Sequence, residues 1–241
     1  MPPEKNSPLS LFRHAWEVLC EHWLKLTLAS ILTLLLPALV FVALLLPSAN
    51  ACAAQKNVSM ECFSPERVFM VSGMYMALLG FLGCGLVRMS QEALDNQTPS
   101  WPSLFQLQAG LKAALAFVLA ALPVWFFMSG FGVFGNVEAW GPWTGPLLVL
   151  GLVVGVAACI ALLPCVFLLQ AFAQEPDMGL GEALAWCMET GKGKRLKILL
   201  VLAAAGLVQQ LASFCCLLSF PAFVFFVLCQ TALWKSLQDT P

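Results

Sequence analysis

Residues 196–234 read LKILLVLAAAGLVQQLASFCCLLSFPAFVFFVLCQTALW. The block runs for 39 residues with a single charge, Lys197, at its start. A helix needs about 20 apolar residues to cross a hydrocarbon core of about 30 Å. The block is therefore too long for one crossing and right for two. Proline favours a helix start and disfavours a helix interior, so Pro221 points to the break. The turn is expected between Ser213 and Pro221, leaving spans over 196–213 and 217–234. One span across the block, and five in all, is the alternative.

Working outward from it, four more apolar runs have the required length: 24–46, 68–87, 113–134 and 147–171. Polar stretches separate them. The whole chain is 60% apolar and 10% charged, with a mean hydropathy of +0.86. Soluble domains are about 45–50% apolar and about 25% charged. A surface covering this sequence in water would be apolar and would aggregate. The expected fold is all-α: one polytopic membrane bundle over 1–241, with six transmembrane helices in three hairpins. Cytoplasmic loops collect Lys and Arg. Six spans with both termini inside place ten basic residues inside and two, Lys56 and Arg67, outside. Five spans would move Lys235 outside. The location implied is a bacterial inner (plasma) membrane. Ala49-Asn50-Ala51 looks like a cleavage site, but the apolar run before it is too long for a signal peptide. A net charge of −1 gives no reason to expect a nucleic-acid partner.

Three segments share one plan: an amphipathic stretch, a basic residue, then a span. Ser10-Leu11-Phe12 and Ala15-Trp16 lead to Leu24-Lys25-Leu26. Ser103-Leu104-Phe105 leads to Leu111-Lys112-Ala113. Ala183-Leu184-Ala185-Trp186 leads to Leu196-Lys197-Ile198. Ser7-Pro8 and Trp101-Pro102 put proline at a first helical position. Over 8–23, Leu11, Ala15, Leu19 and Trp23 recur on one face, with Arg13, Glu17 and Glu21 opposite. This amphipathic helix either lies at the inner membrane surface, Trp at headgroup level, or extends the first span. The residues Ala183 to Trp186, Gly191-Lys192-Gly193-Lys194 and the terminal Leu233-Trp234 carry a resemblance. The chain resembles bacterial six-span inner-membrane proteins of uncharacterised function, similar to membrane modules found with glycerophosphodiester phosphodiesterases. That resemblance implies an inner-membrane location and no defined activity.

Candidate functional residues are few. Away from their ends the spans hold no Asp, Glu, His, Lys or Arg. A charge at the bilayer centre costs roughly 2.5–3.5 kcal/mol and persists where function needs it. Its absence weighs against an ion-coupled pump and against an intramembrane acid–base enzyme. Lys192, Lys194, Arg195 and Lys197 form a basic cluster: a topology determinant, or a contact for a lipid headgroup or partner. Gln170, Gln209 and Gln210 either bond neighbouring helices or line a polar cavity. Gly73 and Gly80 on the second span, and Gly151 and Gly155 on the fourth, form small-residue faces for helix packing within one chain or between copies. Pro37, Pro123 and Pro164 are kink candidates. Cys52 and Cys62 stand in the expected outer loop and either form a disulfide or remain free. His14 and His22 lack the tight, repeated spacing of zinc ligands. No catalytic residue, metal or cofactor is implied. The reading expected from these residues is a non-enzymatic inner-membrane protein that organises lipid or partner proteins through its amphipathic helices. Its partners would be membrane lipids, with a homo-oligomer or a membrane protein partner as further options. A transporter or channel for a small neutral or apolar solute is the alternative.

Overall fold

The computed structural model describes residues 7–54, 65–133 and 163–239. Those residues form helices, with no strand among them. The elements are α1 (Pro8–Ala54), α2 (Pro65–Leu94), α3 (Trp101–Leu104), α4 (Leu107–Val133), a 3-10 segment (Leu163–Phe167), α5 (Leu168–Gln174), α6 (Leu180–Thr190), α7 (Arg195–Ser213) and α8 (Cys216–Gln238). Five stretches of helix are long and apolar enough to cross a membrane: Pro8–Leu46, Phe69–Leu94, Trp101–Ala120, Arg195–Ser213 and Leu218–Gln238. Most of the fourth expected span, with Gly151 and Gly155, lies outside the described residues. So does Cys62, and with it the question of a bond to Cys52.

Helix α1 begins where the sequence supplies a cap. The Ser7 hydroxyl accepts the backbone N–H of Ser10 at 3.2 Å, and Pro8 takes the first helical position. The amphipathic stretch and the first apolar run form one continuous helix, broken only at His22 (φ −114°, ψ 18°). Pro37 does not break it. Before the break, Leu11, Ala15, Val18 and Leu19 are buried. The Phe12 ring stacks on Phe225 of α8, and Trp16 meets the same ring edge-on. Arg13 and Glu17 pair at 2.9 Å on the exposed face. The break rotates the next turn, so Trp23 does not continue the buried face and is 59% exposed.

Helix α2 is central, packed against α1, α4, α5 and α8. Two of its glycines let backbones touch. A Cβ at Gly80 would lie 2.7 Å from the Ala113 carbonyl oxygen, and one at Gly85 only 2.0 Å from that of Leu104. Across the same contact, a Cβ at Gly110 would lie 2.5 Å from the Phe81 ring. Gly73 has no atom within 4 Å of its Cβ position among the described residues.

Helices α1 and α2 run antiparallel: Lys25 reaches Pro99 at one end, and Phe41 meets Tyr75 nearer the other. Helices α7 and α8 also pair antiparallel, turning through Phe214 and Cys215. Helix α8 starts five residues before Pro221. The Ser30 hydroxyl of α1 donates to the neighbouring Phe220 carbonyl at 3.3 Å. Outside, Leu35, Leu39 and Val42 of α1, Leu111 and Leu115 of α4, and Leu200, Leu207 and Leu211 of α7 are exposed. Such a girdle would be an aggregation surface in water and costs nothing in lipid.

Candidate polar site at the base of the bundle

The end of the bundle that carries Lys25, Lys112 and Lys197 is its base. These three lysines hold equivalent places in the sequence repeat, and the structure gives them equivalent work. Lys25 Nζ donates to the Pro99 carbonyl (3.4 Å), just after α2. Lys112 Nζ donates to the carbonyls of Pro176 (2.6 Å) and Met178 (3.0 Å), just after α5. Lys197 Nζ donates to the Ser236 hydroxyl (3.3 Å) near the end of α8. Each lysine clasps the foot of an outgoing helix to the end of a later one. Carbonyls at and beyond a helix C-terminus lack helical partners and sit at the negative end of the helix dipole, so a cation is favoured there.

The basic cluster is divided by this arrangement. Lys194 Nζ donates to the Leu237 carbonyl at 2.9 Å, so Lys194 and Lys197 both serve the end of α8. Lys192 and Arg195 are exposed. The turn between α6 and α7 depends on two glycines for different reasons. Gly193 has φ +74°, in the left-handed region. Gly191 is pressed on Pro164, whose Cγ would be 2.5 Å from an added Cβ. Helix α6 opens with the Glu182 carboxylate accepting the Gly179 N–H at 3.0 Å, half of a capping box. On its inner face the Cys187 thiol is pushed up to about 12 by burial and by Cys165 nearby.

The glutamines separate similarly. Gln209 Nε2 donates across the α7–α8 pair to the Ser219 carbonyl at 3.4 Å, and Gln210 is exposed. Gln170 is fully buried, and neither side-chain amide atom has a partner among the described residues. Its backbone carbonyl accepts Gln91 Nε2 at 3.4 Å.

Beside Gln91, at the base, the ends of α2, α5 and α8 line a partly open polar cavity of about 150 Å³. Helix α2 supplies Arg88, Gln91 and Glu92, and Asp95 and Gln97 follow at and beyond its end. Helix α5 supplies Gln174 and α8 supplies Lys235. Arg88 Nη1 donates to the Ala173 carbonyl at 3.1 Å, and its Nε lies 3.9 Å from Glu92. Both Glu92 oxygens are already taken, one by the Ser100 N–H at 3.0 Å and one by the Ser103 hydroxyl. Glu92 thereby fixes the start of α3. Lys235 Nζ donates to Asp95 Oδ1 at 2.6 Å and to the Gln91 carbonyl at 3.4 Å. Gln174 Oε1 accepts the Trp234 indole N–H at 2.9 Å. The Trp234 ring is fully buried, stacked on Phe167 and edge-on to Trp186, each at 5.2 Å.

In sequence, Arg88 and Lys235 look like topology charges, and Glu92 and Asp95 like unpaired loop carboxylates. Sequence reasoning missed that they converge. Two signals were present. Arg88 and Glu92 are four residues apart, one turn of one helix face. The closing segments also share short patterns: Gln91-Glu92 with Gln174-Glu175, and Thr98-Pro99 with Thr240-Pro241.

No protein-family model, no curated protein and no solved structure matches the chain.

Proposed function

We propose that the protein is a non-enzymatic, six-span inner-membrane protein that organises anionic lipid or a partner protein at its cytoplasmic face. Its spans form three hairpins, both termini are cytoplasmic, and the base is the cytoplasmic end. The observation that carries this reading is the division of the basic cluster. Two cations are consumed in clasps, while Lys192 and Arg195 stay exposed beside the base. Exposed Trp16 and Trp23 supply apolar groups suited to headgroup depth. The resemblance to six-span bacterial membrane modules supports the inner-membrane location alone.

A triple variant, Trp23→Ala with Lys192→Glu and Arg195→Glu, tests it without touching a buried group. Each cation near an anionic surface contributes about 1 kcal/mol. The variant therefore loses most co-purifying anionic lipid or cross-linked partner while keeping its melting temperature. Identical lipids and partners in both proteins would defeat the proposal.

A second reading, a pathway for a small neutral solute, draws on Gln170, a buried amide with no partner among the described residues. Proteoliposome swelling in small polyols decides it. Flux that Gln170→Leu abolishes supports a pathway, and equal flux with empty liposomes excludes one.

A further inference from the structure

We infer that the cavity at the base binds a compact zwitterion: an ammonium and an oxyanion on a short link, of about six to eight heavy atoms. The size follows from the volume, since a cavity of about 150 Å³ accepts a six-carbon ring. The chemistry follows from what its lining has left unspent.

Gln91 is 3% exposed and lines the cavity, and its Oε1 has no hydrogen-bond partner among the described residues. Turning the amide over would not help. Nε2 is spent on the Gln170 carbonyl, and the flipped group would set oxygen against oxygen. The orphan is an acceptor, so the missing group is an N–H or O–H donor. A buried acceptor without a partner carries a desolvation penalty that a ligand donor removes. An ammonium that reaches this oxygen satisfies it, and Asp95, already paired with Lys235, lines the same cavity.

The oxyanion belongs with Arg88. Its Nε is buried and makes no hydrogen bond among the described residues. Glu92, the carboxylate nearest that nitrogen, already accepts from Ser100 and Ser103, which leaves the guanidinium with donors to give. Lys235 adds a second cation with two of its three protons committed. The charged lining, Arg88 and Lys235 against Glu92 and Asp95, sums to zero, so a ligand of zero net charge enters without leaving an uncompensated charge.

Such a zwitterion has two sources, the headgroup of an aminophospholipid or a free solute. The test uses the full chain in detergent and in nanodiscs. Four probes are titrated: glycerophosphoethanolamine and glycerophosphocholine, both phosphodiesters of zero net charge, and nanodiscs of the two corresponding phospholipids. Choline carries no N–H and cannot serve the Gln91 oxygen. The expected result is saturable binding of an ethanolamine probe, about tenfold tighter than its choline counterpart. Preference seen with the soluble pair assigns the site to a free solute. Preference seen only in nanodiscs assigns it to a lipid headgroup. Gln91→Met should abolish the preference, and the wild-type comparison stands even if that variant does not fold. Equal binding of ethanolamine and choline probes, or no saturable binding of any, overturns the inference.

Discussion

Four glycines on α2 provide a graded test of how tightly this bundle closes. Substituting each by alanine adds the same methyl group to four different surroundings. At Gly73 the Cβ meets no atom within 4 Å among the described residues, and at Gly83 it meets Leu169 Cδ1 at an ordinary 3.6 Å. At Gly80 it falls 2.7 Å from a backbone oxygen of α4, and at Gly85 only 2.0 Å from one of α3. Side chains can swing aside; backbones cannot without moving their helices. Gly85→Ala must push α3 away by more than an ångström, which strains the Glu92 hydrogen bonds that hold its start. Overpacking of this kind costs about 1–3 kcal/mol, and Gly85 belongs at or above the top of that range. Gly80→Ala belongs near the middle. Gly73→Ala removes a helix-weakening glycine and should be neutral or stabilising by up to about 1 kcal/mol. At roughly 2–4 °C per kcal/mol for a chain of this size, Gly85→Ala should melt about 6–12 °C lower. Thermal unfolding of the four purified variants in one detergent reads the order directly. If Gly85→Ala melts no lower than Gly73→Ala, the close crossing of α2 with α3 and α4 is wrong.

Three further outcomes are expected. Lys112→Met removes two charge-assisted hydrogen bonds on a partly buried lysine, a loss of about 1–3 kcal/mol. It should hasten limited proteolysis between α5 and α6, whereas Lys192→Met should not. Trp234→Phe keeps a ring against Phe167 but strips one of two donors from Gln174 Oε1, leaving Gln238 Nε2, and should cost about 0.5–1.5 kcal/mol. Trp234→Ala should cost about 3–5 kcal/mol by chemical denaturation. The raised Cys187 thiol stays protonated through neutral pH. Its contribution to stability is full below pH 9.0, and is lost as pH climbs toward 12. At pH 7, maleimide should therefore modify Cys20 in the detergent-solubilised fold and spare Cys187, as peptide mapping will report.

The helical class was legible because it depends on apolar length alone, and apolar length is local. The sequence placed the final turn between Ser213 and Pro221, and the chain turns at Phe214 and Cys215. The break in α1 was harder to locate. Proline at 37 is the textual signal for a kink, yet the helix passes through it and breaks at His22, a position with no breaker residue to mark it. Gly80 could be named as a packing residue from composition, but Gly85 could not. Its importance comes from α3, a one-turn helix that meets it from another part of the chain. The base was illegible for the same reason. Arg88, Asp95 and Lys235 each look like ordinary loop charges in sequence. The antiparallel return of α8 to the end of α2 brings positions 95 and 235 within a hydrogen bond. The repeat lysines were visible as a pattern, while the backbone carbonyls that Lys25 and Lys112 reach have no sequence signature.

The claim on which the rest depends is that these helices cross lipid, with the base inside. Two native thiols test it most directly. Cys215 lies exposed at the α7–α8 turn, and Cys20 lies exposed on α1 before its break. Right-side-out spheroplasts treated with a membrane-impermeant maleimide, followed by peptide mapping, should show Cys215 modified at once and Cys20 only after the membrane is permeabilised. Equal modification of Cys20 and Cys215 in sealed spheroplasts, or of Cys20 alone, would contradict the account.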